Sequence, residues 1–595
     1  MVLTAPDEQS VTEKTKRLEV LDSDGVRAVF LDGTLIYNID LDDKTYCRWT
    51  AVQMYLTHRL SQPEIAAAWG VTRRAVNMWI CAFLAIAALG RTGFFQAVQR
   101  VYGSFGAAFY GVRSIFMTLF LITVLRIRNP ERMNRNPAVK LGRILGLDRG
   151  PAVKTLRSKM KVMAARRQAA NLMNLLAKER LQGKGLPDGV LFVDGHVQCY
   201  YGKSKVGEVY SATKSKVVKG NTDYWVNLGD GTPILCIPMP FNERMSKVLP
   251  VILQKAQKLC PGRRITLVFD RGGADAASYE RLKRLGCDFI SYHKNPQTVD
   301  PAVFIPEPTV INNREYDYAP YERDTQLAVY CGNGKGRRSK TGRTVAVREI
   351  VIRRKDGGNT HVITSRDDLA AATVCSTLFG RWTQENFFKY MLETYDLDHI
   401  YTYRSENVPA EIDHPNPEYK QLEKQQKRIR QRIAAILGRK LDSIAENKLN
   451  DLVNLYSGKK GEELNKLSKT LKAVRQALKK TPKRETAAHY AMLEPETRMI
   501  GNTVKSTAWH IEGILAELVR DVWKAVNGNE RGIVEGFLQT TGSIRPEGGL
   551  LHITLKRQAT PQQTRVLQHV CNELTVMAVK YPGTNLRMVF EVAEQ

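Results

Sequence analysis

The sequence predicts a multidomain protein of mixed α/β class, and three observations carry that reading. A chain of 595 residues is too long for one hydrophobic core, so several domains of ordinary size are expected. Two short β-rich apolar runs end in aspartate followed closely by glycine: Val190-Leu191-Phe192-Val193-Asp194-Gly195 and Ile265-Thr266-Leu267-Val268-Phe269-Asp270-Arg271-Gly272-Gly273. Such runs read as buried strands. Segments with helical character, Lys247 to Leu259 and Ala274 to Leu285, alternate with further strands at Thr232 to Ile237 and Asp288 to Tyr292.

Composition narrows the class. With 43% hydrophobic and 25% charged residues the chain reads as globular, and its formal net charge of +29 predicts a polyanionic partner. Nucleic acid is the first candidate, and an acidic lipid surface is the alternative. The nine cysteines are scattered between Cys47 and Cys571 without a Cys-x-x-Cys pair, which predicts reduced thiols, a cytosolic setting and no structural zinc. Met1 to Lys16 is polar and charged, unlike a signal peptide. The most lipophilic stretch, Phe105 to Leu125, is divided by Arg113 and leaves too short an apolar run for a bilayer. It reads as a buried helix against Ile80 to Leu89, and no membrane partner is expected.

Residues 1–125 are expected to form a helical N-terminal DNA-binding region, with a helix-turn-helix at about 60–80. There Ser61, Pro63 and Glu64 suit a helix start, Gly70 permits the turn, and Thr72 caps a second helix carrying Arg73, Arg74 and Asn77. These three side chains would face DNA in a major groove, although a structural helical hairpin has the same pattern. Residues 126–185 form a basic helical linker, including Arg126, Arg128, Arg157, Lys161, Arg166 and Arg167, suited to phosphate or to solvent.

An α/β core is expected over 186–298 and 362–410. Tyr200, Tyr201, Lys203 and Lys205, with Lys214, Lys216 and Lys219 following, suit a surface that tracks a nucleic-acid backbone or an exposed hairpin. Residues 299–361 read as a β-rich insertion, with runs Val345 to Arg353 and His361 to Thr364 beside the basic loop Gly332 to Arg343. That loop lacks the Gly-Lys-[Ser/Thr] ending of a Walker motif, so no nucleotide cofactor is expected, and Arg337 and Arg338 are candidates for DNA contact. Residues 411–535 read as a charged helical region. Leu422, Ile429, Ile433 and Ile436, then Leu464, Leu467, Leu471 and Leu478, recur at helical spacing and predict an antiparallel helical hairpin. Residues 536–595 read as a small α/β unit, with strands at Leu550 to Leu555 and Asn585 to Phe590 around a helix at Gln562 to Lys580.

The chemistry is expected at the strand ends and on one helix. Ligands of open α/β sheets sit outside the carboxyl ends of strands, where Asp270 would project, although aspartate also forms turns there. In Leu378-Phe379-Gly380-Arg381-Trp382-Thr383-Gln384-Glu385-Asn386-Phe387-Phe388-Lys389 the charges at 381, 385 and 389 stack on one helix face. That arrangement presents a metal-holding carboxylate between two phosphate-holding cations. It is equally the pattern of an amphipathic helix with a solvated ladder. His196, two residues beyond Asp194, reads either as an assisting group or as a structural histidine.

The order strand-Asp, strand-Asp, helix-Glu, with an Arg-Trp-x-x-Glu-Asn-x-x-Lys helix, resembles the DDE transposases of bacterial insertion sequences. The resemblance covers roughly Asp188 to Tyr403. It implies a ribonuclease H-like mixed sheet with a β-rich insertion before the glutamate helix, and it implies Asp194, Asp270 and Glu385 as catalytic metal ligands. Two Mg2+ ions are implied, with Mn2+ as a substitute; Asp194 would bridge them and Asp270 and Glu385 would each support one. Arg381 and Lys389 would neutralise phosphate. Many members sharing this helix carry tyrosine three residues before the arginine and lysine seven after the glutamate, where this chain has Leu378 and Leu392. The implied function is a transposase that binds the ends of a mobile element, cuts there and joins 3′ hydroxyls to target DNA. It would act as a homodimer in a synaptic complex, in the bacterial cytoplasm at the nucleoid. A helix-turn-helix regulator with an inactive nuclease core, and a structure-selective nuclease, are the alternatives.

Overall fold

The computed structural model describes residues 18–23, 26–40 and 82–593, apart from 107, 128–129, 136–141, 143, 148, 185–188, 205, 212–213, 240–242, 333–337, 400–403, 408–411, 439–457, 488–490 and 524–527. The helix-turn-helix expected at 60–80, with Arg73, Arg74 and Asn77, lies outside the described residues, as does Arg337.

The described residues begin with a three-stranded antiparallel sheet, β1 (Leu18–Ser23), β2 (Val26–Leu31) and β3 (Thr34–Asp40). This sheet is a correction to the expectation of a helical N-terminal DNA-binding region over residues 1–125. Leu31 pairs with Thr34 across Asp32 and Gly33, whose φ values of 51° and 76° give the doubly left-handed two-residue turn that closes a hairpin. Helices α1 (Ala82–Gly90), α2 (Phe94–Tyr102) and α3 (Val112–Val124) follow, with α1 and α3 buried almost all round. Then come α4 (Val153–Ala165) and α5 (Ala169–Lys184).

The central sheet is built from β4 (Val190–Cys199), β5 (Glu208–Ser211), β6 (Lys216–Asn227), β7 (Pro233–Met239), β8 (Thr266–Phe269) and β9 (Asp288–Tyr292). Helices α6 (Met245–Leu259) and α7 (Ala276–Arg284) connect its last strands. β4, β8 and β9 run parallel, while β6 lies antiparallel to β4 and carries β5 and β7 on its far edge. All four residues of β8 are buried because parallel neighbours flank it and helices cover the sheet. Val248, Leu249, Ile252, Leu253 and Ala256 make the buried stripe of α6.

Residues 299–361 contribute the hairpin β10 (Thr309–Ile311) and β11 (Arg314–Tyr316) and the long strands β12 (Tyr321–Gly332) and β13 (Arg338–Arg353); β14 (Asn359–Thr364) closes the set. These long strands form no separate sheet. β14 pairs with β9 and β13 with β14, so the central sheet runs in the order β12-β13-β14-β9-β8-β4-β6-β5 and β7 also pairs with β6.

Next come α8 (Ala371–Phe379) and α9 (Trp382–Tyr395), and β15 (Ser405–Asn407) and β16 (Ile412–Pro415). The charged helices α10 (Pro417–Leu437) and α11 (Gly458–Lys480) then pack together through Ile433, Leu437, Leu464 and Leu471. β17 (Arg484–Ala487) returns against β16 and β18 (Ala491–Leu493) against β15, tying the base of this helical hairpin. α12 (Pro495–Val522) runs through the middle of the molecule against α3, α5, β7 and α1. After α13 (Glu530–Phe537) the chain ends in β19 (Gly542–Glu547), β20 (Leu550–Leu555), α14 (Pro561–Val576) and β21 (Arg587–Val592), with β20 and β21 parallel across α14. One apolar core includes residues from Ala82 to Phe590, so these segments share their interior. No helix among the described residues is long and apolar enough to cross a membrane.

Candidate active site

The register of the parallel pair brings the two aspartates side by side. Val193 of β4 pairs with Phe269 of β8, so Asp194 and Asp270 are the next residues on adjacent strands, at the carboxyl end of the parallel set. Asp270 Oδ1 accepts a hydrogen bond from the Gly272 backbone N–H at 2.8 Å. A Cβ on Gly272 would stand 2.8 Å from that same oxygen, so the glycine is what lets the turn close on the carboxylate. Asp194 Oδ1 accepts from the Gly195 N–H at 2.8 Å.

The third carboxylate arrives on α9. Gly380 and Arg381 break the expected single helix into α8 and α9, and Glu385 falls in the first turn of the second. Gln384, beside it, is buried. Its side-chain amide donates to Phe192 O and Trp225 O, each at 3.3 Å, and to Asn227 Oδ1 at 3.0 Å. Phe387 packs against Trp225 and Trp509 at ring distances of 5.4 and 5.2 Å. Gln384 and Phe387 therefore fix the inner face of α9 on β4 and β6 and leave Glu385 on the exposed side, over the aspartates.

Arg381 joins the pieces. Its Nη1 lies 3.1 Å from Asp194 Oδ2 and its Nη2 lies 2.7 Å from Glu385 Oε1. Burial pushes the Asp194 carboxyl up to about 6; Arg381 opposes that shift, while the neighbouring Asp270 and Glu385 add to it. Asp270 and Glu385 thus act on Asp194 through their charge, and oxygen donors of this kind suit a hard divalent cation. The three side chains do not present oxygens that all lie within 4.8 Å of one another, so an ion bound here would have to draw them together.

A cleft of about 610 Å3 opens beside these groups, with Asp270, Arg381 and Glu385 in its lining. Its other walls carry Arg271, Arg314 and Arg354 together with Tyr292, Tyr316 and Trp382. Trp382 is 65% exposed although it is a large aromatic residue. The cleft can therefore hold cations at the carboxylates, phosphate oxygens at the arginines and flat rings at the aromatics.

Of the expected site residues, the fold brings Asp194, Asp270, Glu385 and Arg381 together. Lys389 is exposed on α9 beyond Glu385 and does not line the cleft. Arg338 begins β13, in the long strands of 299–361. His196 reaches Asp398 Oδ1 at 2.9 Å through Nε2 and stacks on Phe388 at 5.6 Å, a structural placement. Arg126 of the basic linker forms an ion pair at 2.7 Å with the fully buried Glu512, and Arg167 pairs with Glu406 at 2.8 Å. Sequence reasoning missed Gln384, Arg271, Arg314 and Arg354. Arg271 was readable as the residue after Asp270; Arg314 begins β11 of the small hairpin and Arg354 follows β13, and only the fold of residues 299–361 brings these two to the cleft.

Taken together, the fold and the cleft define a mixed α/β protein with a carboxylate-lined, arginine-walled site suited to phosphate-bearing polymers. The chain belongs to the family described as "Transposase protein", whose profile matches residues 71–594. No curated protein matches it. A solved structure, the piggyBac transposase synaptic complex with hairpin DNA, is similar over 54% of this chain and 68% of that one, with 11% identity and a TM-score of 0.27, too slight a likeness to bear on the fold.

Proposed function

We propose that this transposase is of the DDE type, with Asp194, Asp270 and Glu385 as the ligands of its catalytic ions on a ribonuclease H-like core, and that it cuts and joins DNA at the ends of its own mobile element. The observation that carries the reading is the placement of Asp194 and Asp270 on adjacent parallel strand ends, with Arg381 joining Asp194 to Glu385 on a helix 115 residues after Asp270, and with Asp270 and Glu385 lining an arginine-walled cleft. Mg2+ is the ion proposed, with Mn2+ as a substitute. Bound there, divalent ions supply charge neutralisation at the transferring phosphoryl group and help for the attacking and leaving oxygens.

The chain's own residues do the positioning. Gln384 holds the first turn of α9 on the sheet and so sets the distance of Glu385 from the aspartates. Arg381 bridges Asp194 and Glu385, and it is available to phosphate once the carboxylates are otherwise neutralised. Arg271, Arg314 and Arg354 orient the DNA backbone, while Trp382, Tyr292 and Tyr316 offer faces to unstacked bases. Arg73, Arg74 and Asn77, in the stretch whose sequence suits a helix-turn-helix, and the basic residues Arg337 and Arg338 are proposed as further DNA contacts. A homodimer pairing the two ends is the proposed assembly.

One observation favours a second reading, a DNA-binding protein whose core does not cut: the Arg381 guanidinium bonds to two of the three carboxylates and so answers part of their charge. The separating experiment is incubation of purified protein with linear DNA carrying the gene's own flanking sequences, with Mg2+ or with chelator. Mg2+-dependent cuts at element boundaries are the expected result. Tight binding with no cut in Mg2+, in Mn2+ and on paired ends favours the second reading.

A further inference from the structure

A second polar cluster lies apart from the three carboxylates, on the other face of the extended sheet. Glu349 of β13 has no exposed side-chain surface, and His293 and His361 are 11% and 8% exposed. Glu349 Oε1 faces both imidazoles, 2.7 Å from His293 Nδ1 and 2.9 Å from His361 Nδ1. Its other oxygen, Oε2, accepts from Arg323 Nε at 2.7 Å and Thr325 Oγ1 at 2.9 Å, both on β12. Sheet pairing makes the cluster. Arg323 pairs with Glu349, Val351 pairs with His361, and the His293 N–H donates to His361 O at 3.0 Å.

The division of labour at Glu349 is the informative feature. Two donors fix Oε2 from behind, as the supporting groups of a metal-bound carboxylate do, and Oε1 is turned toward two imidazole nitrogens. One oxygen and two nitrogens, all within 4.8 Å of one another, form a three-donor set of the kind that zinc takes. In a tetrahedral zinc site neighbouring ligand atoms stand about 3.3 Å apart, as bond lengths of roughly 2.0–2.2 Å require. The two oxygen-to-nitrogen separations, 2.7 and 2.9 Å, need to widen by only about half an ångström to reach that. Both imidazoles become neutral Nδ1 ligands when their protons sit on Nε2. The donor set rejects Mg2+, which takes oxygen ligands, and suits zinc and its borderline neighbours. The absence of paired cysteines argued against structural zinc in the sequence, but cysteine spacing is blind to a set that strand pairing assembles from positions 293, 349 and 361.

We propose that His293, Glu349 and His361 form a binding site for a zinc-class transition ion, separate from the carboxylate site and independent of its assignment. Position gives such a site a consequence. Tyr292 and Thr360 line the cleft, and each immediately precedes one of the two histidines. Side chains alternate along strands, so an ion here would brace from behind the wall that β9 and β14 present to the cleft.

The test is metal content and spectroscopy on the full chain. Chelator-stripped protein is dialysed against Zn2+ or Co2+, and bound metal is measured by elemental analysis. One equivalent per chain beyond any held by the carboxylates is expected, with the visible bands of tetrahedral cobalt. The Asp194→Asn/Glu385→Gln protein should retain that equivalent, and the His293→Ala/His361→Ala protein should lose it. Should the double histidine variant fail to fold, His361→Cys decides the matter, because a thiolate at that position must add a sulfur-to-cobalt charge-transfer band. Folded wild-type protein that takes up no stoichiometric ion overturns the proposal. Uptake unaffected by removing both histidines does so too, as does cobalt binding by the His361→Cys protein without the new band.

Discussion

Replacing Asp194 by asparagine should stabilise the metal-free protein at neutral pH while removing its catalytic use. Burial and the neighbouring carboxylates lift this carboxyl from 3.8 to about 6. A raised folded pKa means that its stabilising contribution is complete below about pH 4 and is lost as pH rises through about 6. At pH 7.5 the ionised group therefore costs roughly 3 kcal/mol, from about two pKa units at 1.36 kcal/mol each. Asparagine is neutral at every pH and escapes that cost, although it keeps no ion pair with Arg381, so a net gain of about 1–3 kcal/mol is expected. An unfolding entropy of about 2.1 cal/mol/K per residue over this chain converts that gain to an upward shift of about 1–3 °C in Tm. Calorimetry or dye-monitored melting in chelator, at pH 7.5 and at pH 4, checks it, with the difference expected at the first pH and absent at the second. Added Mg2+ or Mn2+ should raise the wild-type Tm and leave the variant's unchanged. A variant that melts lower than wild type at pH 7.5, or by the same margin at both pH values, refutes the reasoning.

Three further outcomes are expected. Gln384→Ala removes three hydrogen bonds that seat α9 and should cost about 1–3 kcal/mol, with a fall in cleavage rate that excess metal does not restore; denaturant melts and single-turnover cleavage measure the two. Arg381→Ala removes the group that opposes the upward shift of Asp194, so the acid limb of the pH–rate profile, expected near pH 6 in the wild type, should move to higher pH. Arg314→Ala and Arg354→Ala should each weaken DNA binding across sequences and lower the slope of log K against log salt by about 1, as a fluorescence titration at several salt concentrations would record.

The strands of the central sheet that were legible, β8 and β9 and the start of β4, are short apolar runs that end at or near glycine or a polar turn. Asp288 to Tyr292 matches β9 residue for residue, and the runs ending in Asp194 and Asp270 gave both strand positions. The helical hairpin was legible for the corresponding reason, since its apolar residues recur at helical spacing on an otherwise charged chain. α12 shows where that signal ends. It buries Asn502, Thr503, Lys505, Ser506, Thr507 and Glu512 among its apolar residues, so no amphipathic stripe marks a helix that nonetheless runs through the core. Lys505, for example, donates to the Asp396 and His399 carbonyls at 2.8 and 3.1 Å, which no local pattern announces. The N-terminal hairpin was overlooked although Asp32-Gly33 is a strong turn signal. At the site, residue types and strand ends pointed to the carboxylates. Gln384 and the cleft arginines depend on contacts between segments far apart in sequence, which periodicity does not encode.

Glu385 is the central residue of the proposed site, and it sits on a helix whose sequence also suits an ordinary amphipathic segment. The decisive measurement is cleavage of paired element ends by the Glu385→Gln protein in Mg2+ and in Mn2+, alongside its binding to the same DNA. Loss of cleavage by several orders of magnitude with end binding retained is the expected result. Cleavage at the wild-type rate would contradict the assignment of Glu385 and, with it, the three-carboxylate site.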